Sequence, residues 1–284
     1  MTAMSARSTH ITSRGLSLHV VEWGAEDLPA VVLLHGLRAY GHWFEEFAEA
    51  AAARFHLLAL DQRGRGGSDW APAGRYTTDD YVADIAALIE QKQLKRYALV
   101  GHSMGGTNAL NYAAGCPAGL AALVIVDSAP ELDPRGLARI REELGRTPGS
   151  FATKDEALAF LGPLHRRAGA RSLATRLEWM LRQDAQGRWQ WRIDPNIFDP
   201  RMTPDPPERS WNAIRNVACP ALIVRGSDSD LVTAECADRM AAEFRQASRA
   251  EIPDAGHMVV EDNPKAFTAA VLPFLERTLG AGQR

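Results

Sequence analysis

The sequence is poor in cysteine and has no strong excess of charge of either sign. Its 284 residues include three cysteines, at positions 116, 219 and 236, and their spacing matches neither a metal-binding nor a redox motif. The formal net charge is −3 at pH 7. Such a balance gives no electrostatic reason to bind nucleic acid or an anionic membrane. We therefore expect no cysteine-based metal site and no nucleic-acid partner.

Long apolar runs are also missing. No run reaches the length needed to span a bilayer, and residues 1–7 lack the apolar stretch of a secretory signal peptide. These absences predict a cytoplasmic protein without a membrane partner. A composition of 46% hydrophobic and 24% charged residues is that of a globular protein. The chain is long enough for one large α/β domain with an inserted subdomain, and it leaves a homodimer open.

Short, unbroken apolar segments alternate with amphipathic stretches over most of the chain. Segments of this kind are typical of parallel strands that are buried on both faces. They occur at residues 31–34, 57–60, 97–100, 123–126 and 221–224. The alternation predicts the α/β class, with a mostly parallel sheet flanked by helices. Residues 9–13 and 16–23 predict an antiparallel hairpin at the start.

The alternation stops between residues 131 and 215. This segment has helix-like stretches and no clear buried strand, and it holds four of the seven tryptophans. We interpret it as an inserted, mainly helical cap on a core formed by residues 1–130 and 216–284. Because large aromatic side chains often line apolar pockets, we expect Trp179, Trp189 or Trp191 to approach the substrate pocket.

A Gly-x-Ser-x-Gly pattern centred on Ser103 joins a predicted strand to a predicted helix. Glycines on either side provide room for a sharp turn that exposes the serine hydroxyl. A free hydroxyl is a poor nucleophile, so it needs a base, an acid that orients the base, and donors for an oxyanion. Asp127, Asp230 and His257 also follow predicted strands, whose carboxyl ends gather at one edge of an open sheet.

Taken together, these motifs resemble the α/β-hydrolase superfamily. The resemblance rests on His35-Gly36 after an early strand, residues 61–68, residues 101–106, and Gly256-His257 before the last helix. It implies an α/β-hydrolase fold that needs no metal and no organic cofactor.

The same resemblance implies roles for individual residues. Ser103 would be the nucleophile and His257 the general base, and the N–H groups of Leu37 and Met104 would form the oxyanion hole. Other candidates for the pocket or its support are His35, which would orient the oxyanion loop, Arg38, which would contact an anionic group or solvent, and His102.

The acid is less clearly marked than the other two groups. Many members of the superfamily carry it three residues after the glycine that ends a late strand, and here that position is Ser229. We favour the next residue, Asp230. Asp127, 24 residues after Ser103, is the alternative because some members carry the acid there. Asp228 is the third choice.

A serine at the turn argues against haloalkane dehalogenases and epoxide hydrolases, which resemble this pattern but attack with a carboxylate. The sequence predicts a carboxylesterase-like serine hydrolase that cleaves a small carboxylic ester or lactone through an acyl-enzyme. Hydrolysis of carbon–carbon bonds, amides or carbamates, and cofactor-free peroxidation, remain open on the same residues. A ligand-binding receptor without catalysis is the alternative from another class.

Overall fold

The computed structural model describes residues 6–199 and 205–280, and it is built around a large β-sheet. The strands of this sheet are β1 (Arg7–Ser13), β2 (Leu16–Trp23), β3 (Ala30–Leu34), β4 (His56–Leu60), β5 (Tyr97–His102), β6 (Leu120–Val126), β10 (Ala221–Gly226) and β11 (Ala247–Ile252). A smaller sheet consists of β7 (Ser150–Phe151), β8 (Leu181–Gln183) and β9 (Trp189–Trp191).

Helices cover the sheet and fill the segment between β6 and β10. They are α1 (Glu45–Ala51), α2 (Thr78–Gln91), α3 (Met104–Ala113), α4 (Pro134–Arg146), α5 (Lys154–Leu164), α6 (Ala170–Met180), α7 (Pro207–Asn216), α8 (Ala234–Glu243), α9 (Val259–Asp262) and α10 (Pro264–Leu275). Short 3₁₀ helices lie at Gly41–Phe44 and Pro195–Phe198, and a π-helical turn follows α10 at Glu276–Gly280. No helix in the described ranges has the length and apolarity needed to cross a membrane.

The large sheet has the strand order β1-β2-β4-β3-β5-β6-β10-β11. The pairs β1–β2 and β2–β4 are antiparallel, and every other neighbouring pair is parallel. The predicted α/β class, the mostly parallel sheet and the opening hairpin are therefore confirmed. Because β3, β5, β6 and β10 run in the same direction, the loops that follow them meet at one edge of the sheet.

Burial on both faces explains the unbroken apolar runs. In β3, Val31 and Leu33 pack into the core on one side of the sheet, whereas Val32 and Leu34 pack into the core on the other side. Successive side chains of a strand point to opposite faces, so a strand covered by helices on both sides needs apolar residues at every position.

The segment between β6 and β10 holds α4 to α7, as the prediction of a mainly helical insert requires. It also contains the small antiparallel sheet β7-β9-β8, which the sequence did not indicate. Its strands are two or three residues long, too short for an alternating pattern to be recognised. The division of the chain into core and cap at residues 131 and 215 stays a prediction.

Candidate active site

Ser103 lies at a strained turn between β5 and α3. Its φ of 53° and ψ of −122° lie in a region that L-residues rarely adopt. The flanking glycines are required by close backbone contacts: a Cβ on Gly101 would lie 2.3 Å from the Gly105 carbonyl oxygen. A Cβ on Gly105 would lie 2.2 Å from the carbonyl oxygen of Leu34 in β3. The sequence motif is therefore a packing requirement that fixes Ser103 above the sheet edge.

The imidazole of His257 is oriented by Asp127, the residue that follows β6. His257 Nδ1 lies 2.8 Å from Asp127 Oδ2, and the Asp127 side chain is fully buried. A carboxylate only accepts, so Nδ1 carries the proton and Nε2 is left for another partner. The backbone N–H of Gly226 also donates to Asp127, at 3.1 Å. Asp127 has a φ of 43°, so the second of these strand-end residues is strained as well.

Ser229 completes the hydrogen bonding around this carboxylate. Its Oγ lies 2.7 Å from Asp127 Oδ2 and accepts from the N–H groups of Leu231 and Val232 at 3.3 and 3.1 Å. With both lone pairs occupied, the hydroxyl hydrogen is directed at Asp127. The residue at the position where many superfamily members carry the acid thus donates to a carboxylate from the neighbouring strand.

Asp230, the acid favoured from the sequence, does not contact His257. Its carboxylate accepts from Arg139 of α4, with Nε and NH2 at 2.6 and 2.9 Å, and these bonds hold the pKa of Asp230 below its ordinary value. The backbone explains this placement: Gly136 of α4 packs so closely that a Cβ there would lie 2.5 Å from the Asp230 carbonyl oxygen. The prediction that Asp230 contacts His257 is therefore wrong, and the alternative, Asp127, makes that contact.

The loop after β3 approaches Ser103 at Gly36. A Cβ on Gly36 would lie 2.8 Å from His102 Nδ1 and 3.3 Å from Ser103 Cβ, so only glycine allows this approach. The next residue, Leu37, lines the same cavity as Met104. In the described ranges, the backbone N–H groups of Leu37 and Met104 have no hydrogen-bond acceptor. These two groups are thus free to donate to an oxygen atom bound beside Ser103.

His35 supports this loop from below and does not line the cavity. It is fully buried; Nδ1–H donates to the Gly36 carbonyl oxygen at 2.7 Å, and Nε2 accepts from Gln62 N–H at 3.0 Å. Burial lowers the pKa of His35 to about 4, so the ring is neutral, as its acceptor role requires. The orienting role expected for His35 agrees with these contacts, but a direct place in the pocket does not.

His102 links the serine turn to the loop that carries His257. Its Nε2–H donates to the His257 carbonyl oxygen at 2.8 Å, and the two ring centroids are 4.8 Å apart. Burial, followed by the neighbouring His257, lowers the pKa of His102 well below its ordinary value. A neutral His102 therefore holds the backbone of His257 in place, and it also lines the cavity, as expected.

Ser103, Asp127 and His257 all line one cavity of about 540 Å³. Its wall combines core loops with the segment between β6 and β10, and the apolar side chains in that wall include Leu132, Leu137, Ile140, Leu161, Leu164 and Met180. A volume of this size, mostly apolar with a few convergent polar groups, suits a small organic substrate. Within the described ranges, no group of three or more His, Cys, Asp or Glu side chains is arranged to hold a metal ion.

Comparison with known proteins agrees with this architecture. Residues 29–264 match the family model described as alpha/beta hydrolase fold. The chain belongs to that family. This α/β hydrolase is 31% identical over 263 residues to the 3-hydroxybutyrate-oligomer hydrolase of Cupriavidus necator, covering 88% of the chain and 89% of that relative.

Two solved structures resemble this α/β hydrolase over nearly its whole length. The crystal structure of E-2-(acetamidomethylene)succinate hydrolase gives a TM-score of 0.86 at 26% identity and covers 96% of this chain and 100% of that one. An α/β hydrolase from Novosphingobium aromaticivorans gives 0.81 at 30% identity, with 98% and 99% covered. The chain is thus a hydrolase of the α/β fold.

The tryptophans expected near the pocket pack behind its lining or away from it. Trp179 stacks on His42, with ring centroids 3.9 Å apart, and Trp191 donates from Nε1 to the Pro148 carbonyl oxygen at 2.7 Å. Trp189 lies beside Lys154. None of these three is among the residues that line the cavity. These tryptophans pack the insert against itself and against the core. The apolar part of the cavity wall consists largely of Leu, Ile and Met side chains.

The buried Arg65 is a site residue that the sequence analysis did not single out. Its guanidinium donates to the Leu37 carbonyl oxygen at 3.2 Å, to Met104 Sδ at 3.2 Å and to the Tyr81 hydroxyl. In the part of the chain that the structure describes, no carboxylate forms an ion pair with it. Arg65 thus contacts both residues whose N–H groups are expected to form the oxyanion hole. In the sequence, Arg65 follows Arg63 by two residues in a glycine-rich loop, and this repeat of arginine was the signal that could have identified it.

Proposed function

We propose that this α/β hydrolase is a serine hydrolase that cleaves a small carboxylic ester or lactone through an acyl-enzyme. The observation that carries the proposal is the 2.8 Å hydrogen bond from His257 to the buried Asp127, in the same cavity as the strained Ser103. An imidazole oriented by a carboxylate, in the same cavity as a serine, can serve as the base that activates serine as a nucleophile.

In this mechanism, Ser103 Oγ attacks the substrate carbonyl carbon and its proton passes to His257 Nε2. The carbonyl oxygen becomes an oxyanion, which accepts from the N–H groups of Leu37 and Met104. When the C–O bond breaks, His257 returns the proton to the leaving alcohol. Water then attacks the acyl-enzyme with His257 as base, and the acid and free Ser103 are formed. Asp127 stays ionised throughout and stabilises the imidazolium.

The relatives support ester and amide bonds as two related candidates. A 3-hydroxybutyrate oligomer is held together by ester bonds, which favours the ester reading through the relative from Cupriavidus necator. The name 2-(acetamidomethylene)succinate hydrolase, borne by a relative 27% identical over 282 residues, favours an amide as the second candidate. Both bonds break through the same acyl-enzyme, so the leaving group separates the two candidates.

The proposal is tested with short p-nitrophenyl esters, the matching p-nitroanilides and a fluorophosphonate probe. We expect ester turnover, covalent labelling of Ser103, and a loss of at least about 10⁴-fold in kcat for Ser103→Ala, because the nucleophile is removed. Ser248→Ala, at an exposed position of β11, is the matched control and keeps wild-type turnover.

The outcomes separate the alternatives. Turnover of anilides but not esters would replace the ester reading with the amide reading. Absence of both turnover and labelling in folded protein would overturn the serine mechanism and leave the receptor reading.

A further inference from the structure

Arg38 lines the cavity and differs from the other arginines of its wall. Among the described residues, four arginines line this cavity: Arg38, Arg65, Arg139 and Arg176. Arg139 is paired with Asp230 and Glu143, and Arg176 forms an ion pair with Glu261 at 2.6 Å. In the described ranges, Arg38 has neither a hydrogen bond nor an ion pair. A cavity-facing guanidinium with all its N–H groups unused is a site for an anion.

The guanidinium of Arg38 is nevertheless held in position. Its central carbon lies 5.7 Å from the ring centroid of Trp191, a distance at which the ring face attracts a cation. Trp191 is itself fixed by its hydrogen bond to the Pro148 carbonyl oxygen and by the edge-to-face packing of Phe151. Contact with a ring face leaves the N–H edge of a guanidinium open, which is the edge that a carboxylate binds.

Two charged side chains act on Arg38 from the cavity wall, Glu143 and Arg176. Arg176 is 1% exposed, and its Nε–H has no partner in the described part of the chain. Burial lowers the pKa of Arg38; Glu143 opposes this shift, and Arg176 adds to it to a smaller extent. Glu143 is bound by Arg139 at 2.8 Å, however, which leaves it less able to neutralise Arg38.

We propose that Arg38 binds a free carboxylate of the substrate. This inference rests on the proposed function, since it names the class of ester that Ser103 attacks. Arg38 directly follows Leu37, whose N–H faces the developing oxyanion. The carboxylate and the reacting carbonyl are therefore two groups of one small substrate, such as the monoester of a dicarboxylic acid or an oligomer of a hydroxy acid.

The test compares a charged and a neutral substrate, mono-p-nitrophenyl glutarate and its methyl ester, which differ by one methyl group at the free carboxylate. Wild-type enzyme is expected to prefer the free carboxylate at least 10-fold in kcat/KM, mainly through KM. Arg38→Met is expected to lower kcat/KM for the carboxylate about 10- to 100-fold, the range of a charge-assisted bidentate contact, and to change the neutral ester less than 3-fold. Arg38→Lys restores part of the preference. Arg135→Met, at an exposed arginine of α4, is the control.

A second measurement needs only wild-type enzyme and so does not depend on the folding of a variant. Glutarate is expected to inhibit hydrolysis of the neutral ester competitively and at least 10-fold more strongly than glutaramide does. Equal inhibition by the two, or an equal loss on both substrates in Arg38→Met, would overturn the carboxylate site while leaving the serine mechanism intact. Failure of wild-type enzyme to hydrolyse either ester would instead overturn the ester hydrolysis on which this site depends.

Discussion

Two sides of the cavity differ in how far their polar groups are hydrogen-bonded within the protein. On the reaction side (Ser103, Asp127, Ser229 and His257), the carboxylate of Asp127 is fully buried and receives hydrogen bonds from a ring N–H, a hydroxyl and a backbone N–H. On the recognition side (Arg38, Arg176 and the cavity wall from α4 to α6), Arg38 and the Nε–H of Arg176 have no partner among the described residues. The described residues thus satisfy the carboxylate of the reaction side, whereas on the recognition side they leave the N–H groups of Arg38 free to bind a ligand.

The largest effect is expected when the charge of Asp127 on the reaction side is removed. Asp127→Asn is expected to lower kcat about 10⁴-fold, because an amide no longer holds His257 in the required tautomer or stabilises its imidazolium. Asp230→Asn, which breaks the ion pair with Arg139, is expected to lower kcat less than 10-fold. Steady-state kinetics on a p-nitrophenyl ester measure both variants. A larger loss in Asp230→Asn would restore the acid that the sequence favoured.

His35 is a buried residue that supports the loop beside the reaction side through hydrogen bonds to Gly36 and Gln62. Its pKa of about 4 in the folded protein lies below the ordinary 6.5. Between these values the unfolded chain binds a proton that the folded protein does not, so stability falls as pH is lowered from 6.5 towards 4.

We expect this residue to account for a loss of about 2 kcal/mol between pH 7 and pH 4.5. Urea unfolding at the two pH values measures the loss, and His35→Gln should reduce it by that amount. His10→Gln, at an exposed position, should leave it unchanged. Equal losses in wild type and His35→Gln would contradict the neutral, buried ring.

Ser229 measures how much the second donor to Asp127 contributes. Ser229→Ala is expected to lower kcat roughly 10-fold, since one hydrogen bond to a charged group is lost and KM does not depend on it. Ser229→Thr retains a hydroxyl and should recover most of the activity. Ser227→Ala is the control, because the Ser227 hydroxyl donates to Asp228. An unchanged kcat in Ser229→Ala would mean that the ring and backbone contacts of Asp127 suffice.

The smallest effect is expected for Trp179, which sequence reasoning placed on the recognition side. Trp179→Phe should change kcat/KM less than 2-fold, because the indole stacks on His42 and does not line the cavity. Ile140→Trp adds a bulky ring to the cavity wall and should lower kcat/KM about 10-fold. The pair of kinetic measurements shows whether Ile140 of α4, rather than Trp179 of α6, shapes the pocket.

The sequence predicted the fold, and it singled out Ser103 and His257, which line one cavity, because both inferences depend on local patterns. Buried parallel strands need apolar runs, and the Ser103 turn needs Gly101 and Gly105 at fixed positions. The choice between Asp127 and Asp230 could not be made locally, since it depends on which carboxylate faces the His257 loop and which faces Arg139 of α4. Those contacts join residues about 90 to 130 positions apart.

The recognition side was harder to predict for a different physical reason. Tryptophan is as suitable for packing helices against a core as for lining a pocket, so its number alone did not locate the cavity wall. The short strands β7 to β9 left no periodic signal. Arg38 stood in the sequence as either a pocket or a surface residue, and only its contact with Trp191 across 153 positions shows that it is held inside the cavity.

The pairing of β5 with β6 has a consequence for how such enzymes diversify. His102 and Val126 are directly paired, and the Ser103 N–H donates to the Val126 carbonyl oxygen at 2.9 Å, so the spacing of adjacent strands sets the separation of Ser103 and Asp127. The long segment before β10 begins only after both residues are in place. A change in the length of that segment would leave this strand pairing intact, so the cavity wall can vary while the separation of Ser103 and Asp127 stays fixed.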